Sequence, residues 1–505
     1  MRLIGICLLL FLLAPGERPV TAYVRNTQVG FAASARALQQ AVAVIDEHNP
    51  QSITDAKVAL KDCRINYKKL SFFLEYFFTS EAYVFNSPAR YEIDEPYIEW
   101  ETPVGLQQIE ALLYDSVINK QQLIQDAEVV ANTAADIPSL LYNFSATDQQ
   151  IRESVEQELN RIMTLYITGY DAPLLKSGIE EAAASLTAIS EVIKDNTDIQ
   201  EAINYLHQHT DFDSFNRLEF LTVYGMPLQQ QLGYPALFNH KNDIIGDTVL
   251  GRKLFFDNTL SGNKTRSCAT CHQPDKHFTD GLVRNSSLLG GQLPRNTPGL
   301  NYAGFQHAQF WDGRVKTLEE QIVTVLYSKE EMGATDSSIT KEMVDALVAY
   351  VRTLAPFNAP LDKYLAGDHN ALTSQQQQGF NLFMGKAQCG TCHFAPVFNG
   401  STPPLYDRTE FEVLDKDSID AGRYGFFKVD FYLNAFKTPT VRNTAATAPY
   451  MHDGRYRTME EVIDFYEKGG LNTSNQTMST QPLKLTAAEK KSIAAFMEAL
   501  TDEVP

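Results

Sequence analysis

The sequence predicts a mainly α-helical protein, an N-terminal helical bundle followed by two related small domains in tandem. Three features lead there. The first half carries apolar residues at three- and four-residue spacing. The second half repeats a string, Gly251-Arg-Lys-Leu-Phe255 and Gly379-Phe-Asn-Leu-Phe383, each time ahead of a cysteine pair. Each repeat then closes on an amphipathic segment, with Val344, Leu347, Val348, Val351 and Leu354 on one face of the first and Ile493, Phe496, Met497 and Leu500 on one face of the second.

Taken in order, residues 1–22 read as an export signal. Arg2 gives the positive start, Leu3 to Leu13 an apolar run too short to span a bilayer, and Val20-Thr21-Ala22 the small residues of a cleavage site. The expected location is therefore the periplasm. Residues 23–235 form the helical domain. In Asp55 to Thr79, Val58, Leu60, Tyr67, Leu70, Phe73, Leu74 and Phe77 recur at helical spacing, and Ala182–Ile193 and Ile199–Leu206 behave alike. Loops are expected at Asn86–Pro103, Ile137-Pro138 and Tyr170–Pro173, and a linker at Gly225–Pro235. Residues 236–372 and 373–505 are the two repeats. Thr486 and Glu489 form a capping box for the last helix.

The 505-residue chain is 44% hydrophobic and 21% charged, enough apolar content for several cores. Its net charge of −19 disfavours nucleic acid and anionic membrane surfaces, and favours a cationic protein partner drawn in by long-range steering. Of six cysteines, Cys7 leaves with the signal and Cys63 stands alone, read as a buried, inert thiol.

The other four lie in Cys268-Ala-Thr-Cys271-His272 and Cys389-Gly-Thr-Cys392-His393. This is the attachment pattern of c-type haem. One turn of chain sets two thiols against the two vinyl groups of a porphyrin, and the next imidazole becomes the proximal iron ligand. Zinc would want four ligands in tetrahedral array, and a redox cysteine pair would not need a histidine after it twice. His272 and His393 are thus the expected proximal ligands of two covalently bound haems.

Around these motifs, from Gly251 to Thr501, the chain resembles the bacterial dihaem cytochrome c peroxidase superfamily. The strings that carry the resemblance are Gly251–Asp257 with Leu260-Ser261, Ser267–His272, Phe278-Thr-Asp-Gly281, Pro294-Arg-Asn296, Trp311-Asp-Gly-Arg314, Glu331-Met-Gly333 and Thr447–Gly454. The resemblance implies that the first haem is peroxidatic, with hydrogen peroxide as substrate. It makes Glu331 the distal acid–base group, Gln321 its pocket neighbour and Trp311 the electron relay between haems. Arg314 becomes a haem-propionate partner or a structural ion-pair residue. It further implies a calcium ion held by the Asn296 side chain and the Thr447 and Pro449 carbonyls. A homodimer is possible.

Two positions depart from the peroxidase pattern. Leu288 stands where those enzymes keep a histidine that blocks the first haem, which predicts a haem needing no reductive activation. His277, nearby, is expected to be exposed. Tyr466 stands where a methionine ligates the second haem, as in the MauG-type enzymes that mature the tryptophan-derived quinone of methylamine dehydrogenase. A phenolate favours ferric and higher oxidation states. Met451 is the rival ligand. In the first half, Gly105-Leu-Gln-Gln-Ile-Glu110 resembles the G-x-H-x-x-E string of imelysin-like helical domains, with Gln107 in the place of the metal-binding histidine; a docking or structural module is the expectation.

Three functions are compatible with this reading: a peroxidase fed by a small c-type cytochrome or cupredoxin, a MauG-type oxidase acting on a protein substrate, and an electron carrier.

Overall fold

The computed structural model describes residues 19–46, 48–89, 92–94, 99–235, 237, 244–335, 339–402, 404, 409–414, 420–471 and 482–503. The fold is mainly helical, with two short antiparallel ribbons, Glu92–Asp94 on Glu99–Glu101 and Phe411–Val413 on Ala435–Lys437. Most of the expected signal, Arg2 to Leu13 with Cys7, lies outside the described residues. Its last four residues belong to the first helix, where Val20 and Thr21 are buried. Among the described residues no helix is long and apolar enough to cross a membrane.

Contacts divide the chain into two units. The first takes Met1–Arg90, Thr102–Leu159 and Leu174–Thr210; the second takes Tyr91–Glu101, Asn160–Pro173 and Asp211–Pro505. The helices of the first half are α1 (Pro19–Ala43), α2 (Pro50–Phe77), α3 (Thr79–Asn86), α4 (Leu106–Tyr114), α5 (Lys120–Leu140), α6 (Asp148–Arg161), α7 (Gly178–Val192) and α8 (Thr197–Gln208). Asparagine side chains cap three of them: Asn49 accepts from the N–H of Gln51, Asn119 from Gln122, and Asn196 from Asp198 and Ile199. α1 packs on α2 and α5, and α2 packs on α7.

The core of this unit is polar as well as apolar. The rings of Phe31, Tyr67 and Phe85 meet at 5.0–5.6 Å. Beside them Arg64 donates to both oxygens of Glu181, at 2.8 and 3.1 Å, both residues almost wholly buried. Glu158, equally buried, accepts from Ser71 and Ser185. Glu110 receives the N–H groups of Leu174 and Leu175 at 2.6 and 2.9 Å, and burial pushes its pKa up to about 7. Cys63 is fully buried and its thiol is pushed up to about 12 by that burial, as an inert core residue requires.

The first half differs from the sequence expectation in three places. α5 runs through Pro138 to Leu140, because a proline this close to a helix end forfeits little. The Glu92–Glu101 ribbon lies inside the expected Asn86–Pro103 loop. The expected linker is largely helical, with Phe220–Gly225 a π-turn followed by the helix Met226–Gln231.

In the second unit each repeat brings its opening helix against its closing one: Thr248–Phe255 on Lys341–Arg352, and Ser374–Phe383 on Ala487–Ala499. The crossings are equivalent. A Cβ on Gly251 would sit 1.9 Å from the Ala346 carbonyl oxygen, and one on Gly379 1.9 Å from that of Ser492. A glycine is therefore what lets each pair of backbones touch. Segments 160–173 and 211–218 also pack here. Arg217, with no exposed surface, donates to the carbonyls of Ile167 (2.7 Å), Phe212 (2.8 Å) and Phe215 (3.1 Å), and fills the space left by Gly385. Asn381 accepts from the Leu218 N–H at 2.9 Å.

Replacing Gly379 by alanine must push the two helices of the second repeat apart. We expect a loss of roughly 1–3 kcal/mol, read as a lower denaturation midpoint, with the larger effect on the second repeat's spectroscopic signals.

Candidate functional site

The first cysteine pair sits on a single helical turn, Cys268–Cys271, whose start is closed by the Ser267 N–H donating to the Thr270 hydroxyl at 2.9 Å. The second lies on the tight turn Cys389–Thr391. All four thiols are unbridged, and burial pushes Cys268 and Cys389 up to about 12. Each following histidine is tied through Nδ1. That of His272 lies 3.0 Å from the Phe278 carbonyl oxygen, and that of His393 3.0 Å from Pro439's. An Nδ1–H donor to a carbonyl fixes the tautomer and leaves Nε2 to bind metal. Burial holds both imidazoles neutral, with His393 down to about 4. Paired neutral thiols beside an imidazole with a free Nε2 fit covalent haem at both places.

Beyond the first motif, the helix Leu318–Tyr327 is closed by a Thr317–Glu320 capping box, and a turn carries Glu331. Glu331 lies within electrostatic reach of the Cys271 thiol, and burial raises its pKa while Arg314 and Arg266 oppose the rise. The Leu288 N–H donates to the Glu330 carbonyl at 2.8 Å, and a Cβ on Gly333 would meet the Leu288 side chain at 3.3 Å. Leu288 therefore lies beside the turn that carries Glu331. Gln321 is half-buried on the helix; no hydrogen bond among the described residues joins its side chain to Glu331. His277 corrects an expectation: it is half-buried, with a left-handed backbone at the end of the turn Pro274–Lys276.

Trp311 is held at both ends. Its Nε1–H donates to the Asn296 carbonyl at 2.9 Å, and its own carbonyl accepts from the Lys437 N–H at 2.7 Å. Asn296 in turn donates its N–H to the His452 carbonyl at 2.7 Å and its amide to Leu282 at 2.8 Å, so it ties three loops together. Thr447 and Pro449 lie on the His452 loop. Arg314 donates to Asp312 at 2.9 Å and lies 3.6 Å over the Phe310 ring. Asp312, wholly buried, also accepts from Arg295 at 2.6 Å, and Arg295 grips Asp420 at 2.7 and 2.8 Å.

Tyr466 lies in the last turn of the helix Met459–Glu467. Its hydroxyl pKa is raised, first by burial and then by Glu412, Cys392 and Cys389, which places it beside the second cysteine pair. Met451, the rival, is half-buried with a positive φ of 70°.

Several residues here were missed in the sequence. Arg423 donates to the Asp312 and Gly313 carbonyls, both at 2.8 Å, from a cage of Phe411, Phe427 and Tyr432. Arg266 and Lys437 were also missed. The only signal for any of them was adjacency: Arg266 precedes the first haem motif.

Two tandem motifs of this kind, each with its histidine fixed for iron, define a dihaem c-type protein. Residues 247–343 match the family described as di-haem cytochrome c peroxidase. Cytochrome-c peroxidase IdrP2 of Denitromonas iodatirespirans is 33% identical over 303 residues, covering 50% of this chain and 81% of the relative. Methylamine utilization protein MauG of Methylorubrum extorquens is 32% identical over 282 residues, covering 50% and 78%. The crystal structure of a MauG-like protein associated with microbial copper homeostasis is 31% identical, covers 52% of this chain and 92% of its own, and superposes with a TM-score of 0.46. The chain belongs to the di-haem cytochrome c peroxidase family, oxidoreductases that use peroxide, and membership implies haem c.

Changing both Cys389 and Cys392 to serine is expected to halve the covalently attached haem per chain, measured as pyridine haemochrome against protein concentration. Retention of both haems would move the second attachment elsewhere.

Proposed function

We propose that this is a periplasmic dihaem peroxidase in which hydrogen peroxide reacts at the His272 haem, with electrons from a small c-type cytochrome or cupredoxin. In this reading a helical N-terminal bundle precedes two haem domains, residues 236–372 and 373–505. The observation that carries it is that Leu288, bonded through its N–H to the Glu330 carbonyl, sits beside the turn whose Glu331 acts on the Cys271 thiol. Leucine has no donor atom to place on iron, so no side chain at that position competes with peroxide.

When bound, the haems supply the iron and the electron storage for O–O cleavage. Glu331 takes a proton from one peroxide oxygen and returns it to the other, so that water leaves. Burial raises its pKa, which favours holding the proton it has taken until the second oxygen receives it. Arg314 and Arg266 limit that rise. The Trp311 indole, fixed by Asn296 and Lys437, offers an aromatic step between the two sites, and Gln321 would share the distal side of the first haem with Glu331. Asn296, Thr447 and Pro449 would supply an amide oxygen and two carbonyls to a calcium ion, hard donors of the right kind, on loops already joined at Asn296–His452. The net charge of −19 suits a cationic donor.

The test is peroxide added to the purified diferric protein. Rapid spectral change is expected without prior reduction, and Glu331→Gln should slow it by about 10²–10⁴-fold with the resting spectrum retained. A bis-histidine, low-spin first haem would overturn the reading.

A second reading is favoured by Tyr466: a MauG-type oxidase that modifies a partner protein. Tyr466 would offer a phenolate to the haem held by Cys389, Cys392 and His393, a hard donor that would favour oxidised iron and suit storage of oxidising equivalents rather than electron entry. Tyr466→Phe should change the second haem's spectrum; an unchanged spectrum returns the ligand role to Met451. Efficient steady-state turnover with a reduced cytochrome favours the first reading, and a long-lived oxidised state after peroxide the second. Inertness to peroxide would leave an electron carrier.

A further inference from the structure

Lys437 ends the strand Ala435–Lys437 and is only 6% exposed. Its backbone N–H holds the Trp311 carbonyl at 2.7 Å, and its Nζ donates to the Gln306 side-chain oxygen. Two residues on, the Pro439 carbonyl anchors His393 at 3.0 Å. One short stretch of chain therefore touches both the candidate relay and the candidate proximal ligand of the second haem. Burial lowers the Lys437 pKa to about 8, and Asp312, next to Trp311, opposes that fall as its counter-charge. On the other side burial is the main cause of the low His393 pKa, and the Lys437 charge adds to it in the same direction.

Asp312 does not require this third cation. Arg295 and Arg314 already contact its carboxylate directly, at 2.6 and 2.9 Å. Burying an ammonium is costly, and a buried cation that neutralises nothing on its own is poor evidence of a stabilising role. Its place does have an electrostatic consequence. A positive charge beside a redox centre favours the state carrying one more electron. It also opposes removal of an electron from the neighbouring indole.

We propose that Lys437 is a positioning residue of the electron path, its buried ammonium setting the electron affinity of the second haem and its backbone fixing Trp311 on the way to it. This rests on the assignment of Cys389, Cys392 and His393 to a second haem. The side chain, not the backbone contact, carries the charge, so substitution separates the two roles.

The experiment is a spectroelectrochemical titration of the holoprotein after its haem count has been measured. In Lys437→Gln, which keeps a donor toward Gln306 but no charge, the midpoint potential of the His393 haem should fall while that of the His272 haem stays in place. Lys437→Arg should remain at the wild-type value. Gln306→Glu, which sets a carboxylate against the ammonium, should lower the same midpoint, and it carries the test if Lys437→Gln does not accumulate. An unchanged midpoint in the charge-removing or charge-countering variant, or an equal shift in the arginine and glutamine variants, overturns the proposal. A wild-type haem count of one would strike instead at the second-site assignment beneath it.

Discussion

A single carboxylate without access to water organises the middle of the second unit. Asp312 is wholly buried, and a buried charge is tolerable only when other groups meet it. Arg295 and Arg314 supply opposite charge, and Arg423 donates to the consecutive carbonyls of Asp312 and Gly313. These requirements fix the turn that begins with Trp311. The indole inherits its position from its neighbour's need for neutralisation, and Arg295 extends the demand to Asp420. Aromatic rings around Arg423 and beneath Arg314 exclude water from the same region and strengthen each ionic contact in it.

Around this turn the two repeats use one construction twice. An opening helix crosses a closing helix at a glycine, so close that the backbones touch. Apart from one short helix in each repeat, Leu318–Tyr327 and Met459–Glu467, and one small ribbon in the second, the described chain between them is loops and single turns. Such loops cannot bury an apolar core of their own. They are ordered instead by side chains reaching back to the backbone: histidines to carbonyls, asparagines across loops, and arginines into aromatic cages. That arrangement suits polypeptide folded about a large flat group rather than about itself.

How much of this could be read from the sequence follows from the kind of force involved. Haem attachment is local covalent chemistry with fixed spacing, so Cys268, Cys271, His272, Cys389, Cys392 and His393 were legible. The repeat was legible because both crossings demand glycine. Glu331, Trp311 and Tyr466 could be singled out only through longer strings, since one carboxylate or ring carries no periodic signal. Arg423 and Lys437 left no trace, because each acts on residues far away in the chain; Arg423 and Asp312 are 111 positions apart. Pro138 was misread for the opposite reason. A local rule about proline was applied where the helix end had already removed most of its penalty.

The arginine wedged against Gly385 has a bearing on where the second unit begins. Its partners Ile167, Phe212 and Phe215 all belong to the sequence ahead of the first repeat, and Asn381 grips that stretch from the other side. A truncation that removed residues 211–218 would withdraw a buried cation from the second repeat and leave a hole beside its opening helix. Residues 160–173 and 211–218, although they precede the first repeat, are therefore interior scaffolding of the second unit rather than part of a separate module.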